Sequence, residues 1–188
     1  MQKQNYFRPA LSRRTLLAGL IATGASQIVP APALARGLGK FRRVALVNNR
    51  TGEAVRTVYW ADGAYIPEAL AAIDILMRDW RQDAVHPIAR ATVDILAETY
   101  RLLDCQEPFE VISGYRTPHT NALLRRRGRG AARNSYHIKA MAADIRLASR
   151  SVGQISRAAL SLKAGGVGRY SRSSFVHVDS GPQRTWGR

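Results

Sequence analysis

Two stretches decide the reading of this chain. The first is Ser135-Tyr136-His137-Ile138-Lys139-Ala140-Met141-Ala142-Ala143-Asp144, and the second, further on, is Phe175-Val176-His177-Val178-Asp179. Two histidines and an acid set out in this way match the ligand set of a catalytic zinc site, in which three protein ligands leave a fourth tetrahedral position open. Zinc in such a site lowers the pKa of water to about 7 and so supplies a nucleophile at neutral pH. On an α-helix, residues seven apart are separated by a rise of about 10 Å, and on a straight strand by more. His137 and Asp144 can therefore meet at one ion only if the chain turns between them. A histidine beside apolar residues is also an ordinary core histidine, and spacing alone leaves both readings open.

Around these stretches the chain reads as an alternation of strands and helices. Ala142 to Leu147 resembles a short buried strand carrying Asp144. Phe175 to Asp179 alternates with a period of two, which sends the side chains of His177 and Asp179 to the same face. Upstream, Val44–Val47 and Ala54–Trp60 read as two strands joined by the turn residues Asn48 to Glu53. Leu70, Ile73, Leu76 and Met77 give helical spacing over Ala69 to Trp80, with Pro67 at an early helix position. The spacing predicts a second helix over Ile88 to Leu103, a strand over 109–112, a third helix over Asn121 to Arg126, and a short helix over Gln154 to Leu162 ended by Gly165-Gly166. The pattern is α+β: helices before and around a small, mainly antiparallel sheet.

Three blocks carry a family likeness: Ser113-Gly114-Tyr115-Arg116-Thr117-Pro118, Ser135-Tyr136-His137 through Asp144, and His177-Val178-Asp179. Together they resemble the zinc metallopeptidases that include D-Ala-D-Ala carboxypeptidases and bacteriophage L-alanyl-D-glutamate endolysins. The run Ala164 to Tyr170, followed by Phe175 to Gly181 and Trp186, is similar to the murein endopeptidase K branch of that group. The resemblance implies a hedgehog/D-Ala-D-Ala peptidase-like fold, a Zn2+ cofactor, and His137, Asp144 and His177 as its ligands. It implies that Arg116 contacts a substrate carboxylate or the oxyanion at the scissile bond, a role suited to an always-charged planar fork of donors.

This chain departs from the family pattern at two positions. Ala140 stands where the family usually has Gly, and an alanine forced to φ > 0 there is strained by about 1 kcal/mol or more. Ser174 stands where several relatives place a catalytic acid, three residues before the second histidine. Asp179 is the nearest remaining acid, which makes it the expected general base or else an acid that orients His177. Of the other histidines, His86 reads as structural, and His119 is close enough to Arg116 in sequence to line the cleft.

Residues 1–35 read as a twin-arginine signal peptide: Ser12-Arg13-Arg14-Thr15-Leu16-Leu17, a short apolar stretch to Val29, and the small-x-small site Ala33-Leu34-Ala35. An uncleaved N-terminal anchor is the alternative. Residues 36–188 then form one zinc peptidase domain, without a stable membrane span once the signal is removed. The single cysteine, Cys105, excludes a disulfide within the chain and is expected to be buried as a small apolar group. The net charge is +16; subtracting Lys3, Arg8, Arg13 and Arg14 of the acid-free leader leaves +12. Such a surface suits an anionic polymer, and its densest cluster runs from Arg125 to Arg133. Export argues against nucleic acid as the partner and for peptidoglycan peptides in the periplasm, which carry free carboxylates. The expected activity is zinc-dependent hydrolysis of peptidoglycan cross-links. The alternative is a catalytically weak, zinc-containing peptidoglycan-binding protein.

Overall fold

The computed structural model describes residues 40–128 and 130–187; the leader read in residues 1–35 lies outside them. The first hairpin pairs β1 (Phe41–Asn48) with β2 (Glu53–Ala61), closed by Gly52 at φ +75. Only glycine accepts that backbone without strain. The two-residue strand β3 (Ala64–Tyr65) folds back on β2. Helix α1 (Pro67–Leu76) follows, with proline at its start. It stops short of the Trp80 expected from spacing, because Met77 caps it and Asp79 turns back to pair with Ala84.

Helix α2 (Arg90–Leu102) carries the chain across to β4 (Phe109–Ser113), which lies parallel to β1. A parallel neighbour requires such a crossover. Helix α3 (Pro118–Arg126) begins three residues earlier than expected, because the side chain of Thr117 accepts from the Thr120 amide and caps it. After a 3-10 turn at Tyr136–Lys139 come β5 (Ala142–Arg146), α4 (Val152–Ser161, started by a Ser151/Gln154 capping box), β6 (Gly166–Tyr170), β7 (Phe175–Asp179) and β8 (Arg184–Gly187).

These strands form one sheet in the order β3-β2-β1-β4-β5-β7-β6-β8. Five of its seven pairings are antiparallel, with β1–β4 and β6–β8 parallel. The expectation of an α+β fold on a mainly antiparallel sheet is met. Helix α1 lies against β1 and β2, α2 against β1 and β7, and α4 against β6 and β7. The core between them includes Leu46, Tyr59, Ile73, Leu96, Phe109 and Val176, all fully buried. Cys105 is buried too, as a free thiol whose pKa burial pushes up.

One polar cluster sits inside this core. Asp94 of α2 accepts from Arg42 Nη1 (3.0 Å) and Tyr59 Oη (2.7 Å) at one oxygen, and from Tyr65 Oη (2.8 Å) at the other. Burial and the Asp94 carboxylate push the Tyr65 phenol up to about 12, so it stays protonated and able to donate.

Candidate metal centre

Two rows of residues run side by side across β5, β7, β6 and β8. The register sets Asp144 opposite His177, His177 opposite Gly168, and Gly168 opposite Trp186. Two residues along, it sets Ala142 opposite Asp179, Asp179 opposite Gly166, and Gly166 opposite Arg184. Residues two apart on a strand share a face, so both rows lie on one surface of the sheet. The glycines leave a lane free of side chains along β6. Through it Arg184 reaches Asp179, and the Trp186 ring comes within 5.2 Å of the His177 ring, centre to centre. A Cβ on Gly166 would meet Arg184 Nη1 at 2.4 Å, and one on Gly168 would meet the Trp186 ring at 2.5 Å.

His137 enters from the 3-10 turn. Ser135 caps that turn by accepting from the His137 amide, and Ala140 then reverses the chain into β5 with φ +52. The left-handed backbone expected to strain an alanine is therefore present, and Ala140 adopts it while fully buried.

His137, Asp144 and His177 offer ligand atoms that all lie within 4.8 Å of one another, and all three residues are buried. His137 Nε2 is 3.2 Å from both Asp144 Oδ1 and His177 Nδ1, and His177 Nδ1 is 2.9 Å from Asp144 Oδ1. A tetrahedron with arms of about 2.0–2.1 Å has edges of about 3.3 Å, only slightly longer than these separations. The tautomers follow from the outer partners. His137 Nδ1 donates to the Gly114 carbonyl at 2.6 Å, and His177 Nε2 donates to Asp179 Oδ2 at 2.9 Å. Each ring, when neutral, then turns an unprotonated nitrogen inward. Two imidazole nitrogens and a carboxylate oxygen converge, and with both rings neutral they form a donor set suited to a zinc ion.

The two histidines respond differently to this setting. Burial opposes a charge on His177, but its bonds to Asp144 and Asp179 outweigh that and raise its pKa. Burial dominates at His137 and lowers its pKa, keeping that ring neutral. Burial also opposes ionisation of Asp144, yet the two histidines and Arg116 hold its carboxyl well below the usual range.

Arg116 lies just past β4. Its Nη2 donates to Asp144 Oδ2 and its Nε to Ser113 Oγ at 2.7 Å. Both it and Asp144 line a cleft of about 530 Å³, together with Tyr136, Tyr170, Phe175, Arg184 and Trp186. His119 is exposed on α3 and does not line this cleft. His86 is also exposed, its ring set against Tyr115.

Asp179 is placed differently from what a base requires. It is fully buried and lies outside the cleft lining. One oxygen accepts from the Gly181 amide (2.9 Å) and Arg184 Nη1 (3.0 Å), the other from His177 Nε2 (2.9 Å) and Arg184 Nη2 (2.7 Å). Burial alone would raise its pKa, but these donors, His177 and Arg184 foremost, hold it far below the carboxylate range. The expectation that Asp179 acts as a base therefore meets a physical obstacle, since a carboxylate with every lone pair engaged and so low a pKa is a poor proton acceptor.

Sequence reasoning missed the aromatic and cationic wall of the cleft. Tyr170 stacks on Phe175 at 4.5 Å between ring centres and accepts from Trp186 Nε1 at 2.9 Å. The signal was the matched alternation of Gly166-x-Gly168 with Arg184-x-Trp186, which marks small residues facing large ones across a strand pair.

Comparison with known proteins agrees with this geometry. Residues 37–186 match the family model described as peptidoglycan L,D-endopeptidase MepK. The peptidoglycan L,D-endopeptidase MepK of Escherichia coli (strain K12) is 42% identical over 93% of this chain and 97% of its own length. A probable peptidoglycan L,D-endopeptidase MepK of Haemophilus influenzae is 40% identical over 93% of this chain and 94% of its own. No solved structure gave a significant match. This chain belongs to the peptidoglycan L,D-endopeptidase MepK family.

Proposed function

We propose that this chain is a zinc-dependent endopeptidase that hydrolyses peptide cross-links of peptidoglycan after export to the periplasm by the twin-arginine route. The observation that carries the reading is the convergence of His137 Nε2, His177 Nδ1 and Asp144 Oδ1, each within 3.2 Å of the other two. His137, His177 and Asp144 would hold a zinc ion, which would supply Lewis acidity and a nucleophilic water near neutral pH.

The chain's own groups do the rest. The Gly114 carbonyl and Asp179 fix the tautomers of His137 and His177, the outer support that metal-binding histidines ordinarily have. We assign Asp179 this orienting role in place of general base. Arg116 spends one N–H on Asp144 and one on Ser113, which leaves three for an oxyanion or substrate carboxylate in the cleft. Tyr136, Tyr170, Phe175 and Trp186 give the cleft an aromatic wall against which a peptide can pack. The exposed arginines 125–127 suit an anionic polymer.

One observation favours the second reading, a peptidoglycan-binding protein with little turnover. Among the described residues, Asp144 is the only acid lining the cleft. Mass analysis of cross-linked muropeptides incubated with the zinc-loaded chain separates the two readings. Zinc-dependent release of uncross-linked products is expected; tight retention of intact dimers with no products would establish the binding protein instead.

A further inference from the structure

Arg184 sits where the two cross-strand rows meet the cleft, and its hydrogen-bond inventory is incomplete. A guanidinium carries five N–H donors. Nη1 uses both of its own, on Asp179 Oδ1 and the Pro182 carbonyl, each at 3.0 Å. Nη2 uses one, on Asp179 Oδ2 at 2.7 Å. The Nε–H and the second Nη2–H have no partner among the described residues, and they are neighbours along one edge of the planar group. Arg116, the other arginine beside the candidate ligands, has this edge occupied, because its Nε and Nη2 are given to Ser113 and Asp144.

The free edge is built into the fold. The Arg184 guanidinium lies over the rings of Tyr136 and Trp186, 4.8 and 4.9 Å from their centres. Its side chain keeps 38% exposure within the cleft lining. Three glycines hold this arrangement open. A Cβ would meet Arg184 at Gly166, Trp186 at Gly168, and the Tyr136 ring at 2.4 Å from Gly181. Two aromatic surfaces, one carboxylate and one carbonyl therefore fix the group, while a two-donor edge stays available.

Resting on the hydrolase reading above, we propose that Arg184 is a specificity-determining residue whose Nε–H and Nη2–H grip a free carboxylate of the peptide substrate beside the scissile bond. A paired N–H edge matches the two oxygens of a carboxylate, and a carboxamide can accept at only one of its heavy atoms. The same arginine orients Asp179, so lost activity in a variant would not by itself identify the contact. A double comparison does.

Cross-linked muropeptides are prepared with the carboxylate next to the scissile bond either free or amidated, and kcat/KM is measured for the full-length zinc-loaded chain and for Arg184→Gln. In the parent, amidation is expected to lower kcat/KM about 10–100-fold, the range for one charge-assisted contact. In Arg184→Gln, both substrates are expected to be slow and to differ by less than about threefold. Equal sensitivity to amidation in both proteins overturns the proposal, and so does a parent indifferent to amidation. If the variant is too slow to assay, equilibrium binding of the same two muropeptides to zinc-loaded Arg184→Gln and Arg184→Lys gives the same ratio. A parent that cleaves both forms equally removes only the role of Arg184. A parent that neither cleaves nor binds either form removes the hydrolase reading, and this proposal with it.

Discussion

Two buried carboxylates, Asp94 on helix α2 and Asp144 on strand β5, do opposite things with their neighbours. Asp94 is ringed by donors: an arginine N–H and two phenol O–H groups point at its oxygens, and both tyrosines keep their protons. Asp144 shares Oδ1 with two imidazole nitrogens, and the outer nitrogens of those rings bond to the Gly114 carbonyl and Asp179. The Asp94 carboxylate has both oxygens satisfied by protein donors, whereas at Asp144 one oxygen is held by Arg116 and the other faces two ring nitrogens. Buried polar groups in folded proteins are nearly always satisfied, so an unbalanced set of acceptors marks a binding site more clearly than burial or charge does.

That contrast is broken or sharpened by what each cluster loses. The largest effect is expected from His177→Ala, which should bind almost no zinc by elemental analysis and show no zinc-dependent hydrolysis. Zinc at a thousandfold excess over its Kd should stabilise the parent by about 4 kcal/mol and leave this variant unchanged. Full zinc occupancy in His177→Ala removes that residue from the ligand set. Asp94→Ala should do the reverse. Breaking a buried ion pair costs about 3–5 kcal/mol, visible as a lower urea midpoint, while the folded fraction keeps its zinc. Zinc loss at full folding would mean that the two clusters are coupled.

Asp179→Asn tests the orienting role. Loss of such outer support lowers metal affinity about 10–100-fold, so activity should fall at limiting zinc and recover as zinc is raised. A deficit of about 10²–10⁴-fold that added zinc does not repair is the signature of a lost general base and would return that role to Asp179.

Asp79 offers a pH test away from the ligands. Burial alone raises its pKa, but bonds from the Thr117 amide and hydroxyl and from the Arg81 amide outweigh that and lower it. A depressed folded pKa contributes stability above the unfolded value of about 3.9 and loses it as pH falls through the folded value. Asp79→Asn should therefore be about 1–3 kcal/mol less stable at neutral pH and flatten the acid limb below about pH 4. An unchanged acid limb rules out that carboxylate as its source. The smallest effect concerns Ala140. Replacing it with glycine relieves a left-handed alanine worth about 1–2 kcal/mol but restores about 0.4–1 kcal/mol of unfolded-chain freedom. A gain of about 0.5 kcal/mol, or 1–2 °C in Tm, is expected by calorimetry; a fall in Tm would show that the buried methyl outweighs the strain.

The helices, the first hairpin and the strands bearing Asp144 and His177 were legible because apolar periodicity and turn residues reported them directly. Strand β6 was not, because Gly166 and Gly168 look like loop residues until Arg184 and Trp186 are seen to need the space. The end of α1 was misplaced because Met77 and Trp80 continue the apolar spacing, while the turn there serves a distant purpose: Asp79 receives the Thr117 amide and hydroxyl at 2.9 Å. Strand alternation gave the shared face of His177 and Asp179 correctly. It could not reveal that Arg184 would cover that acid and take it out of reach of substrate.

The cross-strand pairing of Asp144 with His177 has a consequence for how the sheet assembles. Strands β5 and β7 are buried along nearly their whole length, so an apolar pattern alone penalises a one-residue slip only weakly. Such a slip would flip every side chain of β7 to the opposite face. It would carry His177 away from Asp144 and His137, drive Asp179 away from Arg184, and leave several charges buried without partners. The polar residues of the centre thus act as a register check, and a chain able to capture a metal ion here is one whose strands β5 and β7 have met in the correct alignment.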